Sequence, residues 1–385
     1  MSVFKFAAKN TLRHPLRTGL TILGLAIAIV SFTVIQTSID AWHAGAEASS
    51  PDRLVTRHAV SLVFSMPVAY ADRIAKIEGV KQVAVSCWFG GIYVDKSNFF
   101  ANFAVSHNNF FDLYPELVVP PEQMEQFKSE RNAVIVGRKL ADRFGWKIGD
   151  QVQLAGTIYP GTWDFVIRGI YTGAKATTDE GQWFQRWDLV DEQLRQTMPG
   201  RAGNVSTLFI QIHDPTRSAE ICKTIDDQFA NSAAETKTET EEAFQLSFVE
   251  MGKSIIVGLE IISYLVIGII LLVLANTMAM TTRERVSEYA VLKTLGFTSF
   301  HVAGLIFGES LFLALCGGVL GVALAFPVNS LVAIPMSNFF PVFHVSTMTI
   351  TWGLVFAFVV GLVAGLFPAS KAIRTPIVDG LRIID

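Results

Sequence analysis

The chain has 385 residues, 17% of them charged, with a formal net charge of −3; soluble globular chains carry roughly 25% charged residues. The 65 charges fall unevenly, with 5 in residues 1–40, 48 in 41–253 and 12 in 254–385. Only the middle has the charge density of a soluble domain, which excludes both a single water-soluble domain and a membrane protein made wholly of short loops. The three segments contribute +3, −6 and 0, leaving no basic face for nucleic acid. Cys87, Cys222 and Cys316 lack CxxC or Cys/His metal spacing, and the seven histidines supply no HExxH. Neither a structural zinc site nor a disulfide scaffold is indicated.

The first 17 residues form a basic amphipathic leader with Lys5, Lys9, Arg13 and Arg17. From Thr18 to Ile39 no charge appears, about the 20 residues needed to cross a bilayer core as a helix. A secretory signal is the competing reading, but its apolar core would run only about 7–15 residues. The first span is therefore placed at 18–40. Residues 41–253 follow as one large domain. Within it, Val68, Ala71, Ile74 and Ala75 mark a helix ending at Gly79, and Val80 to Val85 alternate as a strand. A second unit reads strand then helix: Thr207 to Ile212, then Asp214-Pro215 opening a helix to about Ala230. These two units are expected to pack together as a porter-like part, 41–111 with 204–243.

Residues 112–203 read as an inserted, mainly β subdomain, with a strand at Asn132 to Gly137, a helix from Arg138 to Phe144, and strands at Gln151 to Leu154 and Phe165 to Ile170. Asp112, Asp142, Asp150 and Asp164 are dispersed surface carboxylates, and Trp163, Trp183, Phe184 and Trp187 form an aromatic cluster expected in the core. Cys87 and Cys222 are expected to stay unbonded inside regular elements. The acidic run Ala233 to Glu242 leads into a stalk at 244–253.

A second span is placed at 254–282, a third at 300–328 ending at Pro327 and Asn329, an outer loop at 329–348 with Phe339, Phe340 and Phe343, and a fourth span at 349–368 ending at Pro368. Residues 369–385 form a tail. Gly317 with Gly321, and Gly361 with Gly365, are spaced for close helix packing. Glu260 and Glu309 are carboxylates inside spans, where charge is expensive and often functional; pairing or snorkelling at an interface is the bland alternative. Basic residues concentrate in the leader, in the second-to-third connection (Arg283, Arg285, Lys293) and in the tail (Lys371, Arg374, Arg382), whereas the third-to-fourth connection has none. By the positive-inside rule both termini are cytoplasmic and 41–253 lies outside.

Residues 283–297 predict a short cytoplasmic helix. Thr281 and Glu284 have capping-box spacing, and Gly296 suits the left-handed position that ends a helix. Val286, Tyr289 and Leu292 give an apolar stripe suited to a partner's groove, or to the chain's own membrane helices, while Arg285 and Glu288 sit one turn apart on the polar side.

With the leader Asn10 to Thr18, Leu23-Gly24, the run Val134 to Gly137 with Leu140 to Asp150, Asn276-Thr277-Met278, Arg283 to Phe297, Glu309, and Pro368 to Ala372 with Arg374, Pro376 and Leu381-Arg382, the chain resembles the permease family that includes the macrolide exporter MacB, the lipoprotein-releasing LolC and LolE, and the division protein FtsX. The resemblance implies an ABC-transporter permease of the mechanotransmission type in the bacterial inner membrane: four transmembrane helices plus a large extracytoplasmic α+β domain. It implies two cytoplasmic ATPase subunits that bind ATP and Mg, a second permease subunit forming a homodimer, membrane lipids as surroundings, and a periplasmic adaptor and outer-membrane component as further candidate partners. Arg283, Glu284, Arg285, Glu288, Tyr289, Leu292, Lys293 and Gly296 match the ATPase-coupling segment.

The chain departs from MacB in lacking a GxxxxGK[ST] phosphate loop, so no cofactor is expected on it and hydrolysis is assigned to a separate subunit. Export or efflux from the periplasm or outer leaflet is the leading function. Lipoprotein or lipid extraction, and FtsX-like control of a cell-wall hydrolase, are the alternatives. An enzyme ranks last, for want of a nucleophile–base or metal constellation.

Overall fold

The computed structural model describes residues 15–47, 49–175, 177–336, 343–374 and 376–377. Most of the leader, Phe339, Phe340 and the tail residues Leu381 and Arg382 lie outside the described residues. The chain forms two compact units. One takes the described residues up to Ala41, those of Gly252–Met336 and those from Phe343; the other takes those within Trp42–Met251.

The first unit is built on four long helices, Pro15–Glu47, Lys253–Glu284, Ser299–Met336 and Thr347–Arg374. Their apolar stretches run 28 to 36 residues with mean hydropathy 2.2 to 2.7. At 1.5 Å per residue they are about 40–55 Å long, more than the ~30 Å of a hydrocarbon core, so each is long enough to span.

The third and fourth helices do not stop at the prolines expected to end them. The third passes through Pro327 to Met336 and the fourth through Pro368 to Arg374, so the connection between them is shorter than 329–348. Each proline removes one hydrogen bond to the carbonyl four residues back, a loss that helices packed against neighbours tolerate. Asn329, expected in the loop, is 3% exposed and its amide donates to the Ala325 carbonyl (2.8 Å).

Small residues set the helix contacts, as their spacing suggested. A Cβ at Gly321 would lie 2.7 Å from Ile29 Cβ, and one at Gly361 would lie 2.8 Å from Ala314 Cβ. These close approaches press the third helix against the first and the fourth. Asp40 accepts hydrogen bonds from the hydroxyls of Thr349 (2.9 Å) and Ser346 (3.2 Å), tying the first helix to the start of the fourth.

The second unit mixes α and β. Its strands are β1 Arg53–His58, β2 Met66–Pro67, β3 Val80–Trp88, β4 Gly91–Ile92, β5 Asn102–Val105, β6 Leu117–Val118, β7 Ala133–Gly137, β8 Gln151–Gly156, β9 Gly161–Gly173, β10 Trp183–Arg186, β11 Asn204–Val205, β12 Thr207–Ile212 and β13 Thr236–Thr240. Eleven of them share one mixed sheet in the order β13-β1-β12-β3-β5-β10-β7-β9-β8-β4, with β6 on β9; β2 and β11 pair separately. The early helix–strand unit and the late strand–helix unit meet where β3 runs antiparallel to β12. The strands of residues 112–203 extend that same sheet.

Alternation along the strands sorts two apolar cores onto the two faces. Val85, Cys87, Val134, Val136 and Trp183 pack with Ile74, Leu140, Leu194 and Ile225 from helices on one side. Ala84, Ala133, Ile135 and Phe184 pack with Phe110, Phe111 and Phe127 on the other. The aromatic cluster is thus core, but adjacent Trp183 and Phe184 belong to opposite faces. One element corrects the sequence reading: within the acidic run, Thr236–Thr240 is a regular strand paired with β1, from Leu54↔Thr240 to His58↔Thr236. Its alternating Thr residues direct Thr236 and Thr238 inward, where Asp226 accepts from both hydroxyls.

Candidate functional site: the short helix and its anchors

The second spanning helix runs without interruption to Glu284, and Arg285 (φ −111°, ψ 15°) breaks it before the short helix Val286–Thr294. The capping box expected at Thr281 and Glu284 is absent. Thr281 lies inside the long helix with its hydroxyl donating to the Thr277 carbonyl (2.9 Å), and the Glu284 carboxylate accepts both terminal nitrogens of Arg17 (2.7 and 2.9 Å). The fork of Arg17 takes the carboxylate that a cap would have used.

The far end matches expectation. Gly296 has φ +93°, its N–H donates to the Lys293 carbonyl, and the Phe297 N–H donates to the Leu292 carbonyl, both at 3.1 Å. This is the Schellman arrangement that needs a left-handed residue.

Arg285 was expected on the exposed polar side. It is instead 6% exposed, and its guanidinium meets Glu309 of the third spanning helix at 3.0 Å, with both side chains buried. Glu309 is therefore a paired carboxylate, and the pair joins the break in the chain to the bundle core. Tyr289 packs beside it; burial first, and the Glu309 charge second, push its phenol up to about 12. Lys293 closes the other side, its Nζ donating to the carbonyls of Ala372 (2.8 Å) and Ile373 (3.3 Å) at the end of the fourth helix. A cation there complements the exposed carbonyls of a helix C-terminus.

The stripe Val286, Tyr289, Leu292 thus faces inward. Tyr289 lies within a buried cluster with Leu274, Met278, Val302 and Ile306, and Leu292 packs on it. What faces outward is a different set: Arg283, Glu284, Glu288, Val291, Leu295 (71% exposed), Phe297 and Phe300 (83% exposed). Sequence reasoning missed Leu295, Phe297 and Phe300; the signal was three large apolar residues around a helix-ending glycine. Glu260 is exposed on the second spanning helix, about 36 Å along the axis from Glu284, and takes no part in this site. No three His, Cys, Asp or Glu side chains converge as a metal site among the described residues.

Residues 18–228 match the MacB-like periplasmic core domain, and residues 260–377 match the FtsX-like permease C-terminal domain. The uncharacterized ABC transporter permease MJ1507 of Methanocaldococcus jannaschii is 23% identical over 407 residues, covering 99% of this chain and 97% of that protein. The uncharacterized permease Rv0987 of Mycobacterium tuberculosis is 23% identical over 267 residues; the match takes in 67% of this chain and only 29% of that protein. The macrolide export ATP-binding/permease protein MacB of Bdellovibrio bacteriovorus is 28% identical over 107 residues, 28% of this chain and 16% of its own length. Among solved structures, the periplasmic region of MacB from Actinobacillus actinomycetemcomitans aligns with 52% of this chain and 94% of its own, at 8% identity and a TM-score of 0.38. With the MacB-like core matched over more than half of its residues and the FtsX-like region over most of the remainder, the chain belongs to the MacB/FtsX-like family of ABC transporter permeases.

Proposed function

We propose that the chain is the permease half of an ABC transporter, driven by two copies of a separate cytoplasmic ATPase that bind ATP and Mg. In this reading it acts as a homodimer, with its termini and short helix cytoplasmic and its large domain in the periplasm. Nucleotide-driven closure of the ATPases displaces Val286–Thr294, and the spanning helices carry that displacement to the large domain, which expels a substrate already across the membrane. Coupling of this kind needs two sites and two global states.

One observation carries the reading. The short helix and its junction are fastened to the first, third and fourth spanning helices by Arg17–Glu284, Arg285–Glu309 and Lys293–Ala372, and run directly out of the second. A push on its exposed face, Glu288, Val291, Leu295, Phe297 and Phe300, is therefore delivered to all four. The mixed apolar and charged character of that face suits a protein groove.

The test is co-purification with the cognate ATPase and its hydrolysis rate in lipid nanodiscs for wild type, Glu288→Lys and Leu295→Asp. Both changes are exposed, so folding is retained while binding or stimulation falls. Full binding and stimulation in both variants would remove this face as the coupling surface.

A further inference from the structure

The large domain begins and ends side by side. β1 opens at Arg53, six residues after the first long helix ends at Glu47, and β13 gives way at Glu241 to the helix Glu241–Met251, which precedes the second spanning helix. The last paired residues of this ladder are Leu54↔Thr240, so Arg53 and Glu241 are the next pair in register.

Both are buried, Arg53 at 3% and Glu241 at 4% exposure, and their charges meet at 2.6 Å between Nε and Oε2. The rest of the guanidinium is also used. Nη2 reaches Glu116 Oε1 at 2.7 Å, Nη1 donates to the Leu113 carbonyl at 3.0 Å, and the guanidinium carbon lies 4.3 Å from the centre of the Tyr114 ring. Glu241 in turn accepts from the Tyr114 hydroxyl (2.8 Å) and from the Ser50 N–H (3.1 Å). Three separate stretches of chain, 50–53, 113–116 and 241, are held at one point.

A well-packed apolar pair would serve stability about as well as a buried ion pair. What the planar guanidinium fork adds is direction: it fixes the angles between its partners, which apolar contacts leave free. We propose that Arg53 and Glu241 are positioning residues forming a cross-brace, which makes the two limbs of the large domain move as one and turns displacement of either into rotation of the whole sheet. This rests on the functional reading above.

The experiment uses the full chain with its ATPase in nanodiscs. Hydrogen–deuterium exchange is compared with and without vanadate, which traps ADP in the ATPase after hydrolysis, for wild type and the double variant Arg53→Met/Glu241→Met. In the wild type, trapping changes exchange in the helix Ser218–Phe229 and in β12. In the double variant hydrolysis is still stimulated, but the trapping-dependent change in these elements is lost. If the double variant does not fold, Arg53→Lys, which keeps the charge and removes the planar fork, is expected to give the same loss. A variant whose trapping response equals that of the wild type overturns the brace alone. A wild type with no trapping response overturns both the brace and the functional reading beneath it.

Discussion

Glu309→Ala deletes the anion that the buried Arg285 guanidinium meets at 3.0 Å. Removing one partner from a buried pair costs about 3–5 kcal/mol. A loss of about 3 kcal/mol is roughly a 150-fold fall in the folding equilibrium constant. Arg285→Met strands the carboxylate instead and falls in the same range. The double variant Arg285→Met/Glu309→Leu leaves no buried charge and fills the space with apolar atoms, so it returns close to wild type. Unfolding in mixed micelles at rising dodecyl sulfate, followed by helical circular dichroism, measures all four corners of the cycle. With each single loss about 3 kcal/mol and the double variant close to wild type, the interaction energy is about 6 kcal/mol in magnitude, and the double variant is more stable than either single one. Single-variant losses that simply add in the double variant would refute the reasoning, because Arg285 and Glu309 would then be independent.

Gly321→Leu forces side-chain atoms into Ile29 Cβ (2.7 Å) and the Ala26 carbonyl (2.8 Å) and should destabilise the membrane unit by about 1–3 kcal/mol, whereas Gly304→Ala, with nothing within 4 Å, should be silent; thermal melting in detergent compares them. Gly296→Val, at φ +93°, should lose about 1–2 kcal/mol of short-helix stability, seen as faster amide exchange over Val286–Thr294, while Gly296→Asn loses less. Burial pushes the Cys87 thiol from 9.0 up to about 11. The unfolded chain releases that proton first, so this group makes stability fall as pH rises from 9 to 11. Urea midpoints should show the slope in wild type and a shallower one in Cys87→Ala.

Most of the architecture was legible because it rests on local patterns. The uncharged stretches gave four helices long enough to span, Gly296 marked the end of the short helix, and period-two alternation marked β3 and β12, although the helix expected to run to Gly79 stops at Ile74. What failed depended on partners distant in sequence. Whether Thr281 and Glu284 form a capping box is decided by Arg17, 267 residues before Glu284, since the Arg17 fork claims the Glu284 carboxylate. Whether Arg285 is a surface charge is decided by Glu309, 24 residues on. Pro327 and Pro368 read as stops because propensity sees the missing N–H and not the neighbouring helices that hold the backbone. The strand Thr236–Thr240 was hidden by its charge, since an edge strand needs only one inward-facing side.

The adjacency of β1 and β13 also bears on how such proteins diversify. The Ala59 N–H donates to the Glu235 carbonyl at 2.8 Å, so the chain departs and returns through neighbouring positions on one sheet edge. The excursion from Ala59 to Glu235 is tied back to its roots, because β12 pairs with β1 from Arg53 to Arg57 and residues 113–116 hold Arg53, so only the parts beyond those partners can change in length and content without re-spacing the two roots. Evolution could graft heads of very different shape between the same two roots, and a designer could do the same, provided that the new head keeps a strand against β1 and a partner for Arg53.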